Sequence, residues 1–402
     1  MKRISYIVAA ICMALLAIVV AAARWIPQHF EKKIEATDDR TFFCRKVHGR
    51  LEPAGKLYKN QPFYAIQYNK NWYVTEIGGK PYYIYQQRVK ELNRSFTLSP
   101  LASPKAIQTV RPKENIWVYQ APRFGQPIGV LYKNTPVQVI ATHGDWYQIM
   151  FAGTTAYIHK KQVAGLATEV PIIVYHHILK EKENRKYHNP TVVSYEEFSK
   201  QMKLLHDDGY HTITLHDLED FVKGKKDLPA KSIMIHFDDG LKTNYVYAYP
   251  VLKKYGLHAA AFLITSRNSR PLKPFNPDDY QFLNWKEIAK MGDVFEFASH
   301  THALHNRGKD GIGNLVKVPA ATVKTDLLKS RQLLHGTTYF TYPFGQYKPE
   351  TIGILKQTGF TLAFTTKIGT VKPGDDPYQL KRHGITPDMT LDEFKKVIQV
   401  VE

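Results

Sequence analysis

At 402 residues, 44% of them hydrophobic, the chain is long enough for two or three domains with a sizeable core, which excludes disorder as the default. Its formal net charge is +19, and the excess sits in front: residues 1–170 hold 23 Lys and Arg against 10 Asp and Glu. Two cysteines exclude a disulfide-stapled scaffold, because Cys12 lies in an apolar run and leaves Cys44 alone in the remainder.

Residues 1–30 come first. Lys2 and Arg3 precede an uncharged run from Ile4 to Ala23, followed by Arg24 and Trp25. A run of about 20 residues matches the bilayer core and leaves the basic terminus inside, so 1–30 is expected to be a transmembrane signal-anchor with its juxtamembrane segment. The run exceeds the about 7–15 residues of a usual signal core, which favours an anchor, but the small residues Ala21-Ala22-Ala23 also suit cleavage. The two readings give a single-pass protein of the cell membrane or a secreted, wall-associated one; both export the rest. An exported basic front half points to an anionic cell-wall polymer or lipid surface as partner rather than nucleic acid, unless the lysines serve solubility alone.

Residues 40–168 contain an internal repeat. The 35 residues from Gly55 align without a gap to those from Gly129, at an offset of 74. Tyr58/Tyr132, Asn60/Asn134, Pro62/Pro136, Trp72/Trp146, Tyr83/Tyr157 and Val89/Val163 are among the identical pairs. Short runs alternate apolar and polar residues between Asn-Lys, His-Gly-Asp and Gly-Gly breaks, which predicts a small antiparallel β unit in each of 40–95 and 107–168. The pattern resembles bacterial SH3-like domains, which often bind cell-wall material. Trp72 and Trp146 are then either ligand-stacking residues or, since they share one strand context, core.

From Val170 the pattern becomes β-rich runs separated by helical ones. Strands are predicted at 171–176, 211–215, 232–237, 258–264, 294–299, 339–342 and 361–366, with a helix over Tyr195–Asp208 ended by Gly209. Seven strands in about 230 residues predict an α/β fold, a distorted seven-stranded (β/α) barrel over 170–402, with its site where strands end and loops begin.

Three strand ends carry chemistry. Ile235-His236-Phe237 runs into Asp238-Asp239-Gly240, and adjacent carboxylates are costly together unless a cation separates their roles, one as ligand and one as base. Alone, such a triplet is more often a turn with a helix cap. Val294–Ser299 ends in His300, His302 and His305, and imidazoles with a carboxylate are the usual ligands of a catalytic Zn²⁺. Thr341-Tyr342-Pro343-Phe344-Gly345 is either an ordinary turn or one that presents a backbone N–H to an oxyanion.

In this order and at these separations, the three segments resemble the motifs of NodB-type polysaccharide deacetylases (carbohydrate esterase family 4). The resemblance covers about 170–400 and implies a hydrolase of linear amides that removes N-acetyl groups with a divalent metal, Zn²⁺ foremost. Carried over, Asp238 is the general base and Asp239, His300 and His305 hold the metal; Phe344 offers the oxyanion N–H, and Tyr342, Pro343, His302 and His176 line the cleft, with His177 a further candidate. The family's usual second motif would put a histidine at 304, where this chain has Leu304. The longer spacing to His305, with Val170–His177, is similar to the branch acting on poly-β-1,6-N-acetylglucosamine. Thr341 stands where many relatives have an arginine that orients the base. For the general acid the nearest match is His383, with a surface role as the other reading, and Arg382 is a candidate substrate contact. A peptidoglycan deacetylase and a non-catalytic wall-binding scaffold remain open alternatives.

Overall fold

The computed structural model describes residues 32–47, 49–92 and 106–399, and the chain divides into two compact units, the first ending at Leu166 and the second beginning at Ala167. The apolar run 4–23 lies outside the described residues. Among the described residues no helix is long and apolar enough to cross a membrane.

In the first unit the offset of 74 recurs in the strands themselves: Trp72–Ile77 and Trp146–Phe151, Lys80–Tyr85 and Thr154–His159, Val89–Glu91 and Val163–Gly165. Asn60 and Asn134 both take left-handed backbone, φ 63° and 64°, a conformation asparagine tolerates better than most residues. The expected pair of separate small domains is joined into one hydrogen-bonded sheet path. Pro127–Leu131 pairs antiparallel with Arg50–Leu57, setting Leu131 opposite Gly55 and Gly129 opposite Leu57. These two glycines occupy equivalent positions of the repeat, and both are packed too closely for a side chain. A Cβ on Gly55 would meet the Val130 carbonyl at 2.1 Å, and one on Gly129 the Phe151 ring at 2.6 Å. The copies therefore share a core, in which Phe43, Leu57 and Ile84 meet Ile116, Ile149 and Ile158. Trp146 is buried against Tyr119 and Phe124, while Trp72, half-buried, leans on Tyr85.

In the second unit, parallel strands run in the order Leu362–Phe364, Tyr339–Thr341, Phe295–Ser299, Ala259–Leu263, Ser232–Phe237, Ile172–Tyr175 and His383–Gly384. A parallel bridge from Phe364 to Leu380, just ahead of the last strand, closes the ring. Alternation along each strand sorts the side chains. Ile172, Met234, Phe262, Ala298 and Phe364 fill the inside, whereas Ile173, Ile235, Phe237 and Leu263 pack outward on helix Tyr195–Asp207 and its neighbours. The strand predicted at 211–215 shrinks to His211–Thr212, which pairs with the start of Ser232–Phe237 off the main order. Its remainder is claimed by a helix: Thr214 and Asp217 form a reciprocal capping box that starts Leu215–Val222.

Candidate active site

Ser232–Phe237 is buried at every position, and the same alternation carries Met234, His236 and Asp238 to the inside of the ring. Asp238 N donates to Tyr175 O at 3.0 Å, which holds the strand end against its neighbour. The chain then turns through Asp239, φ 71°, and Gly240, where a Cβ would meet Leu263 Cδ2 at 2.6 Å. The second strand end has the same character: Thr301 follows His300 with φ 73°. So does the third, with Phe344 at φ 57°. Left-handed backbone costs a residue other than glycine about 1–3 kcal/mol, and its recurrence after three strands of one sheet marks a site that the surrounding fold holds in place.

Asp238 is 3% exposed and receives both terminal nitrogens of Arg382 at 2.8 Å, Nη1 on Oδ1 and Nη2 on Oδ2. Burial alone would raise its carboxyl; Arg382, His300 and His176 outweigh that and hold it well below the usual carboxylate range. Arg382 is itself buried, with Nε donating to Thr365 O at 3.0 Å. The arginine missing at position 341 is thus supplied from 382, immediately ahead of the last strand.

Asp239 turns the other way, toward two imidazoles. Its Oδ1 lies 3.2 Å from His305 Nε2 and 3.7 Å from His300 Nε2, and one ligand atom from each of the three residues lies within 4.8 Å of the others. Oδ1 is buried yet accepts no hydrogen bond. His300 Nδ1 sits 2.9 Å from the Thr341 carbonyl, which can only accept, so Nδ1 carries the proton and Nε2 presents a lone pair to Asp239. Burial lowers the pKa of both histidines, that of His305 to about 3 with help from His300. Lone pairs converging in a buried space repel unless a cation lies between them, so the donor set fits a divalent metal.

The remaining candidates separate. His176 lies two residues past Val174, the register partner of His236, and so shares the inner side with Asp238; its carbonyl accepts from Asn244 Nδ2 at 3.1 Å. His177 is buried, near Asp239 and edge-on to Tyr187 and Tyr280. Phe344 packs its ring 4.6 Å from His305. His302, expected beside the cleft and not as a ligand, has Nδ1 2.9 Å from the Thr265 hydroxyl. Three expected positions, Tyr342, Pro343 and His383, differ. Tyr342 is 1% exposed, stacked on Tyr347 and bonded to Tyr378 O, and Pro343 is buried beside it, so neither side chain offers the cleft a surface. His383 pairs in register with Ile173 and so shares its outward, helix-facing side, opposite to Arg382. It points away from Asp238 because successive residues of an extended chain face opposite sides.

Two contributors had no signal in the sequence. Asp326, on helix Ala320–Leu333, accepts the backbone N–H groups of His302 and Ala303, each at 2.7 Å, and pins the loop between the two ligand histidines. Arg267 donates to His305 O at 3.1 Å from a short 3₁₀ turn, Thr265–Arg267. Neither lies in a recognisable motif; both act through backbone that only the fold brings near.

Both units resemble known proteins. The polysaccharide deacetylase family profile matches residues 225–363, and that of the bacterial SH3 domain matches 115–164. The poly-β-1,6-N-acetyl-D-glucosamine N-deacetylase of Staphylococcus aureus is 32% identical over 201 residues, 49% of this chain and 68% of that one. The putative polysaccharide deacetylase YxkH of Bacillus subtilis is 29% identical over 251 residues, 61% and 80% of the respective chains. Among solved structures, IcaB from Ammonifex degensii superposes with a TM-score of 0.50 at 26% identity, covering 58% of this chain and 98% of that one.

Proposed function

The chain belongs to the polysaccharide deacetylase family, and from that premise we propose that it removes N-acetyl groups from extracellular poly-β-1,6-N-acetylglucosamine, a biofilm-matrix polymer, with a divalent metal held by Asp239, His300 and His305. The observation that carries the reading is the division of labour between adjacent acids, Asp238 paired with Arg382 and Asp239 aimed at two neutral imidazoles. The choice of polymer rests on the Staphylococcus aureus relative and on the spacing from His300 to His305.

Two imidazoles and a carboxylate suit Zn²⁺, which when bound polarises a carbonyl and acidifies water. The chain's own groups do the rest. Asp238, kept ionised by Arg382, takes the proton from the attacking water. The backbone N–H of Phe344 supplies a donor to the oxyanion. His176, beside Asp238, takes the part first assigned to His383 and gives a proton to the leaving amine, so that acetate and a glucosamine unit result.

We place this reaction outside the cell, with residues 4–23 as tether or export signal and the repeats holding an anionic wall polymer. The bacterial SH3 match favours a second reading, peptidoglycan deacetylation. Acetate release by the purified exported region from β-1,6- and β-1,4-linked N-acetylglucosamine oligomers, with and without chelator, separates the two. Release from β-1,6 oligomers that chelator abolishes is expected. Release from β-1,4 oligomers alone selects peptidoglycan, and release unaffected by chelator or by Asp239→Asn refutes the metal assignment.

A further inference from the structure

A deacetylase of polymers holds more than one sugar, so surfaces beside the ligand cluster must meet the rings that flank the reacting one. Pyranose rings present C–H faces that stack on aromatic rings and hydroxyls that accept from arginine. One such surface stands next to Asp239. Tyr280 is 40% exposed even though its ring packs on His177 at 5.2 Å, Tyr187 at 5.8 Å and Phe282 at 5.7 Å. An antiparallel bridge between Leu241 and Phe282 sets the Tyr280 segment beside the turn that carries Asp239. Arg267 and Arg270 lie 4.7 and 5.3 Å from the Phe282 ring centre and bring guanidinium donors to the same wall.

The wall is braced from both sides. Tyr187 Oη and Lys186 Nζ both donate to Asp278 O, at 3.0 and 3.2 Å, tying the segment after the first ring strand to the one that carries Tyr280. Lys242 N donates to Gln281 O and Leu283 N to Gly240 O, both at 2.9 Å, fixing the Tyr280 segment to the turn that holds Asp239. A half-exposed aromatic ring on a rigid mount beside the ligand cluster has the chemistry of a sugar platform. Phe344, its ring tilted against His305, bounds the cluster on its other strand end.

We propose that Tyr280, seated on Tyr187 and His177, is the platform for the sugar ring adjoining the one that loses its acetyl group, a subsite through which the enzyme senses that its substrate is a polymer. This rests on the deacetylase reading. The test compares wild type, Tyr280→Ala and Tyr280→Phe on N-acetylglucosamine tetramers of both linkages and on p-nitrophenyl acetate, a small ester that reaches the reacting centre alone. Tyr280→Ala is expected to raise KM for the tetramer roughly tenfold with kcat within about twofold, to leave ester hydrolysis within about twofold, and Tyr280→Phe to behave as wild type. Equal losses on tetramer and ester, or none on either, overturn the platform. If wild type releases acetate from neither tetramer, the proposed function fails; the intact tetramers then serve as ligands in calorimetry. Equal affinity of wild type and Tyr280→Ala there overturns the platform, and a weaker affinity of the variant sustains it.

Discussion

At Asp238 burial and pairing oppose each other, and the bidentate guanidinium decides the outcome. Removing Arg382 leaves a carboxylate buried without its cation, a loss of about 3–5 kcal/mol in comparable pairs. Arg382→Ala is therefore expected to lower the melting temperature and to reduce kcat by about two orders of magnitude, as loss of a positioned base does. Arg382→Lys should fall between, because an ammonium keeps the charge and loses the fork. Thermal melts and steady-state acetate release check both. His236, just below, poses the reverse case. Its ring is fully buried between Phe262 and Phe364, neither nitrogen has a partner, and burial with the nearby Arg382 pushes its pKa well below 6.5. The unfolded chain then binds a proton that the folded chain refuses, so stability falls as pH drops below about 6.5. His236→Leu should raise the melting temperature and flatten its decline between pH 7.5 and 5, since an orphaned buried polar group costs about 1–3 kcal/mol. An unchanged slope would show that His236 is not a source of that decline.

Elements, rather than single residues, hold His300 and His305 at their spacing. The loop from His300 to His305 leaves its strand through a left-handed Thr301 and would be free to relax without the two N–H bonds to Asp326. Asp326→Asn keeps one acceptor oxygen, and is expected to weaken metal affinity about 10–100-fold, the range for outer partners of metal ligands. Its melting temperature without metal should change far less, which distinguishes positioning from folding. In the first unit the corresponding device is the paired glycines. Gly55→Val forces a side chain into the Val130 carbonyl and the Phe43 ring, and overpacking of this kind costs about 1–3 kcal/mol. Gly129→Val should behave alike because the junction sets the two equivalent positions across one strand pair. Calorimetry on both variants is the check, with destabilisation of the first unit expected.

For the whole molecule, two compact units with separate cores predict two thermal transitions rather than one. Metal bound only by the folded second unit raises that unit's transition by mass action and leaves the other where it was. Chelator should lower one transition and spare its companion in a single calorimetric scan. A chelator effect on both would refute independent units. The net charge of +19 acts at this scale as well, so binding to the anionic polymer proposed as partner should weaken as salt rises.

What the sequence determined by itself is everything carried by local pattern. Short β-rich runs ending in Asp-Asp-Gly, in the histidine run and in Tyr-Pro-Phe-Gly identify strands and their ends, and a gapless repeat at offset 74 identifies a duplicated β unit. Asp238, Asp239 and the histidine run stood out because they lie at such ends, and the resemblance to NodB-type deacetylases singled out His300 and His305 among the histidines. What only the tertiary structure decided is which side chains meet across long separations and which way each one faces. Arg382 reaches Asp238 across 144 positions, and His383, one residue on, faces away, because a parallel strand gives its neighbours opposite sides. Tyr342 looked like a cleft residue and is core; Asp326 and Tyr280 had no local mark at all, since their significance lies in backbone and rings brought beside them by folding. Local physics writes the strands and their ends into the chain, whereas the site is a product of closure, and closure is set by contacts far apart in sequence.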